Sequence, residues 1–330
     1  MNRMRVGRII IFIGILLMMK QHSAAQESML SPFGMMTTSD NYSLRYGIWR
    51  SDKAASRGTV ILLSGRTEFM EKYAETISEL QQRGFDVYSF DWRGQGLSSR
   101  MLSNRHKGFV KTYDDYISDL AVFVDKIVKP QAVSPLIILA HSMGGHIAMR
   151  YLHKHHGAIE RAILVSPMID ILTSPFPRFF AKSLTSIAGK AGWDQDYAVS
   201  SGDYSPEDEK FEGNHLTSDP VRFMDEKRAI KENPGLALGG VTYGWLSATF
   251  ASIDILAAPG FGQEITIPIL MVSAGSDKIV SLEAQKSICD RLKQCRSKVI
   301  PEARHEILKE TDAVRSIFWD EFDGFIVGYD

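Results

Sequence analysis

The run Leu136-Ile137-Ile138-Leu139-Ala140-His141-Ser142-Met143-Gly144-Gly145 decides how this chain is read. Five apolar residues, then a serine between small or polar neighbours, then a helical pattern through Ile147, Tyr151 and Leu152 make a strand, a tight turn and a helix. A serine at such a turn stands exposed at the carboxyl edge of a sheet. Its hydroxyl then lies over the N-terminus of the following helix, whose partial positive charge favours a developing oxyanion. Bulky side chains two positions before or after the serine would strike the neighbouring strand and helix. Gly144 obeys that rule and Ala140 bends it. Ser142 is therefore the candidate nucleophile.

Outward from this turn, short branched runs alternate with segments of helical period, the mark of a mostly parallel sheet with helices on both faces. Strands are expected at 44–49, 59–63, 86–90, 136–140, 162–165, 269–273 and 298–300. Tyr113, Ile117, Leu120, Val124 and Ile127 paint one apolar helix stripe, and Val314, Ile317, Phe318, Phe322 and Phe325 paint another. The alternation stops between residues 170 and 258. There Pro175, Pro177, Pro206, Pro220 and Pro234, with Pro259 at the border, break up a stretch carrying Phe176, Phe179, Phe180, Trp193, Trp245 and Phe250. This stretch reads as an inserted helical cap whose aromatic residues could face a hydrophobic ligand, although most are expected to fill the cap's own core. The expected organisation is a first core part at 26–169, the cap at 170–258 and a second core part at 259–330.

A serine hydroxyl needs a histidine to take its proton, and the histidine needs a carboxylate to fix its tautomer. Two later strands supply these on loops at the same edge: 269–273 leads into Gly275-Ser276-Asp277, and 298–300 leads into Pro301-Glu302-Ala303-Arg304-His305. Asp277 is the expected acid and His305 the expected base. The chain order Ser, Asp, His is that of α/β-hydrolases. An oxyanion hole needs two aligned amides. The Met143 N–H follows the nucleophile, and the Arg66 N–H lies in Ser64-Gly65-Arg66-Thr67-Glu68, after the 59–63 strand. The Arg66 guanidinium, alone or paired with Glu68, could also contact a polar head group, although a structural Arg66–Glu68 salt bridge serves equally well. Trp245 is a further candidate substrate contact.

The residues also carry a resemblance. Ser64-Gly65-Arg66-Thr67-Glu68, Lys72-Tyr73-Ala74-Glu75, Asp91-Trp92-Arg93-Gly94-Gln95-Gly96, Ser166-Pro167-Met168, Asn214 to Asp219, Gly239 to Trp245 and Ala303 to Leu308 resemble the bacterial lysophospholipases of the L-two type, relatives of the monoacylglycerol lipases. The likeness runs over about residues 40 to 325. It implies an α/β-hydrolase fold with a cap, the triad Ser142, Asp277 and His305, and release of a fatty acid from a lysophospholipid or other lipid monoester. Ser64 stands where the glyceride lipases carry histidine, which points away from glycerides. Monoacylglycerol lipase or general carboxylesterase activity is the alternative; an aminopeptidase on the same fold, or a lipid-binding protein without catalysis, is a minority reading.

The N-terminus reads differently. Arg3, Arg5 and Arg8 precede an uncharged run from Ile9 to Met19, and Ser23 and Ala25 set small residues before a cut at Gln26. This is the layout of a signal peptide over residues 1–25. The run is shorter than the ~20 residues a membrane span needs. A periplasmic or secreted protein is expected, with an uncleaved membrane anchor as the alternative. Removing residues 1–25 takes away four basic groups and no acidic one, moving the formal charge from -1 to -5.

With 38 basic against 39 acidic residues there is no phosphate-binding excess, and a nucleic-acid partner is not expected. Peripheral contact with a membrane is compatible with a lipid substrate. Cys289 and Cys295 could close a small disulfide in an exported protein, or stay reduced. His153, His155 and His156 lack partners at ligand spacing, so neither metal nor cofactor is expected. The run Asp203, Glu207, Asp208, Glu209 and Glu212 reads as a solvated face, though cap carboxylates could also bind a peptide's amino terminus. The turn from Asp91 to Ser98 reads as a backbone turn beside the site.

Overall fold

A computed structural model describes residues 32–328 apart from 174–176 and 209. The signal-peptide reading of residues 1–25, and the calls on Pro175, Phe176 and Glu209, lie outside the described residues. The strands are β1 (Phe33–Thr37), β2 (Ser43–Trp49), β3 (Gly58–Leu63), β4 (Phe85–Phe90), β5 (Leu136–His141), β6 (Arg161–Val165), β7 (Ile269–Ala274) and β8 (Cys295–Ile300). They form one sheet in the order β1-β2-β4-β3-β5-β6-β7-β8. From β4 to β8 every neighbouring pair is parallel, and β2 meets β4 antiparallel. Parallel pairing puts the ends of β3, β5, β7 and β8 at one edge, and every candidate catalytic loop leaves from that edge.

Burial on both faces explains why β3, β5 and β7 read as near-continuous apolar runs. In β3 and β5, Ile61, Leu63, Ile138 and Ala140 point into one core while Val60, Leu62, Ile137 and Leu139 point into the other. The first core is covered by α2 (Tyr113–Phe123), α3 (Met143–Lys154) and α7 (Leu282–Arg291). The second is covered by α1 (Ala74–Gln82) and α8 (Asp312–Val327). The α8 stripe departs from expectation at one position: Ile317 is exposed, and Trp319 and Ile326 complete the buried face with Phe318, Phe322 and Phe325.

Between β6 and β7 the chain forms α4 (Arg178–Lys190), α5 (Pro220–Glu232) and α6 (Tyr243–Ala257). Of its aromatic residues Trp245 and Phe250 are buried, Trp245 within the main core beside Tyr113 rather than in a core of the segment's own, whereas Phe179, Phe180 and Trp193 face solvent. No helix among the described residues is long and apolar enough to cross a membrane.

Cys289, near the end of α7, and Cys295, the first residue of β8, are joined by a disulfide with Cα atoms 5.4 Å apart. The bridge ties the outermost strand to its covering helix. Closing so short a loop stabilises by about 2 kcal/mol through the unfolded chain. The Cys289→Ala/Cys295→Ala double variant should lose that amount in denaturant unfolding with its esterase rate retained.

Candidate active site

Ser142 has φ 49° and ψ −114°, a conformation that non-glycine residues adopt rarely and only where the surroundings enforce it. Its N–H donates to Val165 O at 3.0 Å, and its carbonyl accepts from the N–H groups of Met168 and His146. The turn also depends on Gly144. A Cβ there would lie 2.6 Å from both Leu63 O and Ser64 O, closer than any contact allows. The same limit does not apply two residues before the serine, where the Ala140 methyl is fully buried in the core.

The Ser142 Oγ lies 2.9 Å from His305 Nε2, and His305 Nδ1 lies 2.7 Å from Asp277 Oδ2. The other carboxylate oxygen of Asp277 accepts the N–H groups of Ile279 and Val280, which fixes its plane. Burial alone would raise the Asp277 carboxyl. The hydrogen bond from His305 and the two amides outweigh it and hold the group below the usual carboxylate value. An imidazole held between a hydroxyl and an ionised carboxylate can take the serine proton and bear the resulting charge. The structure thus brings together the three side chains that the sequence placed on separate loops.

The loop bearing Arg66 is braced by the Asp91–Ser98 turn in ways the sequence did not disclose. Trp92 Nε1 donates to Ser64 O and Gln95 Nε2 to Gly65 O, each at 2.9 Å, while Gln95 Oε1 accepts the Thr67 N–H. No hydrogen bond among the described residues engages the N–H of Arg66 or of Met143. Both amides therefore remain available to an incoming oxyanion.

The expected Arg66–Glu68 pair does not form. Arg66 Nη2 donates to Gly239 O at 2.7 Å, and its guanidinium lies 5.2 Å from the Trp245 ring centre. Burial lowers its pKa to about 10. Glu68 turns the other way, to Lys72, Tyr73 and His141. Glu226 and Glu306, which sequence reasoning did not single out, join the same cluster through Lys72. Of the acidic run in the inserted segment, Asp203 accepts from Asn104 and Tyr197, and Glu207 and Glu212 are exposed. None of these three borders the serine.

A cavity of about 410 Å³ opens on Ser142 and His305, with Met168, Leu172, Trp245 and Ile279 in its walls. Arg66, Glu68, Glu226 and Glu306 also border it. A larger cavity of about 720 Å³, beside α5 and Tyr204, contains no member of the triad. The inserted segment reaches the catalytic loop directly: Glu306 N–H donates to Leu216 O, and Arg304 Nη1 to the carbonyls of Asn214 and Thr217.

Fold and site together define an α/β-hydrolase. Residues 54–312 match the model of the family described as serine aminopeptidase, S33. The chain is 34% identical over 267 residues to lysophospholipase L2 of Escherichia coli strain K12, covering 78% of this chain and 77% of that protein. It is 33% identical to the probable lysophospholipase L2 of Haemophilus influenzae, over 83% and 85% of the two chains. A solved structure of Saccharomyces cerevisiae monoglyceride lipase, a soluble variant bound to a substrate analogue, superposes with a TM-score of 0.72 at 20% identity, over 91% of this chain and 97% of that one. The chain belongs to the serine aminopeptidase S33 family of α/β-hydrolases and is a homologue of the bacterial lysophospholipases L2. It is a carboxylic ester hydrolase, and the reading as a binding protein without catalysis is set aside.

A Gly144→Val variant should lose about 1–3 kcal/mol of stability through overpacking against β3. Labelling of Ser142 by a fluorophosphonate should slow at least ~100-fold, because the turn can no longer close.

Proposed function

We propose that this enzyme hydrolyses lipid monoesters, lysophospholipids foremost, through an acyl-enzyme on Ser142. The observation that carries this is the continuous hydrogen-bonded line from Ser142 through His305 to Asp277. It opens on a cavity with both apolar and charged walls in a homologue of lysophospholipases. Ser142 Oγ attacks the ester carbonyl as His305 takes its proton, and the Arg66 and Met143 amides receive the oxyanion. His305 then returns the proton to the departing alcohol. Water activated by the same imidazole releases the fatty acid.

The acyl chain would lie along Met168, Leu172 and Trp245, and Arg66 would face an anionic head group. Monoglyceride or simple ester hydrolysis uses the same machinery without that charge contact. The aminopeptidase reading draws on the family's description. Export to the periplasm or beyond fits the signal-like residues 1–25 and the Cys289–Cys295 bridge. Peripheral membrane contact would use the exposed aromatic residues of the inserted segment, where Phe179 on α4 is 80% and Trp193, just beyond that helix, 55% exposed.

The test compares the chain lacking residues 1–25 on lysophospholipids, monoglycerides, short esters and aminoacyl amides. The highest kcat/KM is expected on lysophospholipids, and preferential cleavage of the amides would overturn the assignment. Ser142→Ala should fold normally and lose about three orders of magnitude or more in turnover. Arg66→Ala should raise KM on charged lysolipids and leave it unchanged on neutral monoglycerides.

A further inference from the structure

Behind the catalytic imidazole lies a second histidine. The His141 ring is buried, with its centre 4.9 Å from that of His305. Its Nδ1 lies 3.2 Å from Glu68 Oε2, and its Nε2 lies 3.3 Å from the main-chain oxygen of His305. A carbonyl oxygen can only accept, so Nε2 carries a proton. Burial would push the Glu68 carboxyl up, but Lys72 and then His141 outweigh it and keep Glu68 well below the usual carboxylate range. Tyr73 already gives its hydroxyl proton to Glu68 Oε2 at 2.6 Å, so Nδ1 must donate as well. A proton on each ring nitrogen, making His141 an imidazolium, satisfies both acceptors.

The surrounding charges favour the same state. Lys72 Nζ lies 3.0 Å from Glu68, 2.7 Å from Glu226 and 2.6 Å from Glu306, and Lys227 Nζ lies 3.7 Å from Glu226. Three carboxylates thus face two lysines, and His141 supplies the third positive charge. Burial disfavours that charge and is the largest single influence, but the Coulomb attraction and hydrogen bond of Glu68, together with the Glu306 charge, outweigh it and raise the His141 pKa above the usual histidine value.

Resting on the roles assigned to Ser142 and His305 above, we propose that Glu68 and His141 are positioning residues. The doubly protonated His141 ring grips the main-chain carbonyl of His305 and holds its imidazole at reach of Ser142. Glu68 also accepts the Gly65 N–H, so one carboxylate fixes both the oxyanion loop and the loop of the general base. The groups facing His141 are Glu68, Lys72 and Tyr73 from one segment, and His305 and Glu306 from the loop after β8. As pH rises past the His141 pKa, the remaining proton stays on Nδ1, against the carboxylate. The Nε2 lone pair then faces the His305 carbonyl, and the grip becomes a repulsion. Activity that depends on the grip is full below that pKa and is lost above it.

The test measures kcat and KM against pH on a soluble p-nitrophenyl ester for wild type, His141→Gln and His141→Phe, with melting curves to establish folding. Wild type should show an alkaline fall in kcat. His141→Phe should lose about 10- to 100-fold in kcat with KM changed less than 2-fold. His141→Gln, whose amide can donate to the same carbonyl, should recover most of the rate and show no alkaline fall. Wild-type profiles in both variants would overturn the proposal. If neither variant folds, nitrogen-15 spectra of the wild-type chain decide. Two ring N–H protons on His141 at neutral pH support the proposal, and a neutral ring refutes it. Retained turnover in Ser142→Ala would instead refute the underlying assignment, so the two failures are distinguishable.

Discussion

The left-handed backbone at Ser142 is the constraint on which the rest of this structure depends. Such a conformation costs of the order of 1–3 kcal/mol and persists only where its surroundings over-determine it. Here three conditions hold it: β5 fully buried between β3 and β6, α3 beginning at the next residue, and Gly144 pressed against the end of β3. These hold the hydroxyl above the sheet edge. The loops after β3, β7 and β8 need only arrive at that edge to complete a site, and the parallel sheet delivers all of them there.

Much of this was legible in the chain, for a physical reason. Strands buried on both faces are apolar almost throughout, so β3, β5 and β7 stand out as near-continuous runs and the loops after them can be placed by counting. Legibility fails where burial is partial. The first strand, Phe33 to Thr37, was missed because only Met36 is buried and Gly34 interrupts the pattern. The start of β8 was missed because Cys295, Arg296 and Ser297 belong to a half-exposed outer strand, whose polar residues read as loop.

At the site the same division appears. Ser142, Asp277 and His305 follow from order and loop position alone. The partners of Lys72 do not, since Glu68, Glu226 and Glu306 lie in three segments far apart in sequence, and a charged residue in isolation reads as surface. Only folding shows that they are buried together. The expected Arg66–Glu68 bridge fails for the same reason, because Glu68 finds closer cations and Arg66 finds a carbonyl and an aromatic face.

That failed bridge bears on the choice between ester and peptide substrates. A triad with an oxyanion hole can cleave either bond, so selection falls to charges lining the cavity. A peptide's amino terminus needs a carboxylate with spare negative charge. Glu226 and Glu306 border the cavity, but Lys72 contacts both at under 3 Å and Lys227 adds to Glu226. Arg66 presents the opposite case. Among the described residues its buried guanidinium contacts a carbonyl oxygen, an indole and no carboxylate, and burial lowers its pKa to about 10 because nothing anionic compensates it. A cavity whose carboxylates are neutralised and whose one guanidinium is not should gain more from an anionic group than from an ammonium. A lysophospholipid brings such a group on the same molecule as the ester, and a peptide amine does not.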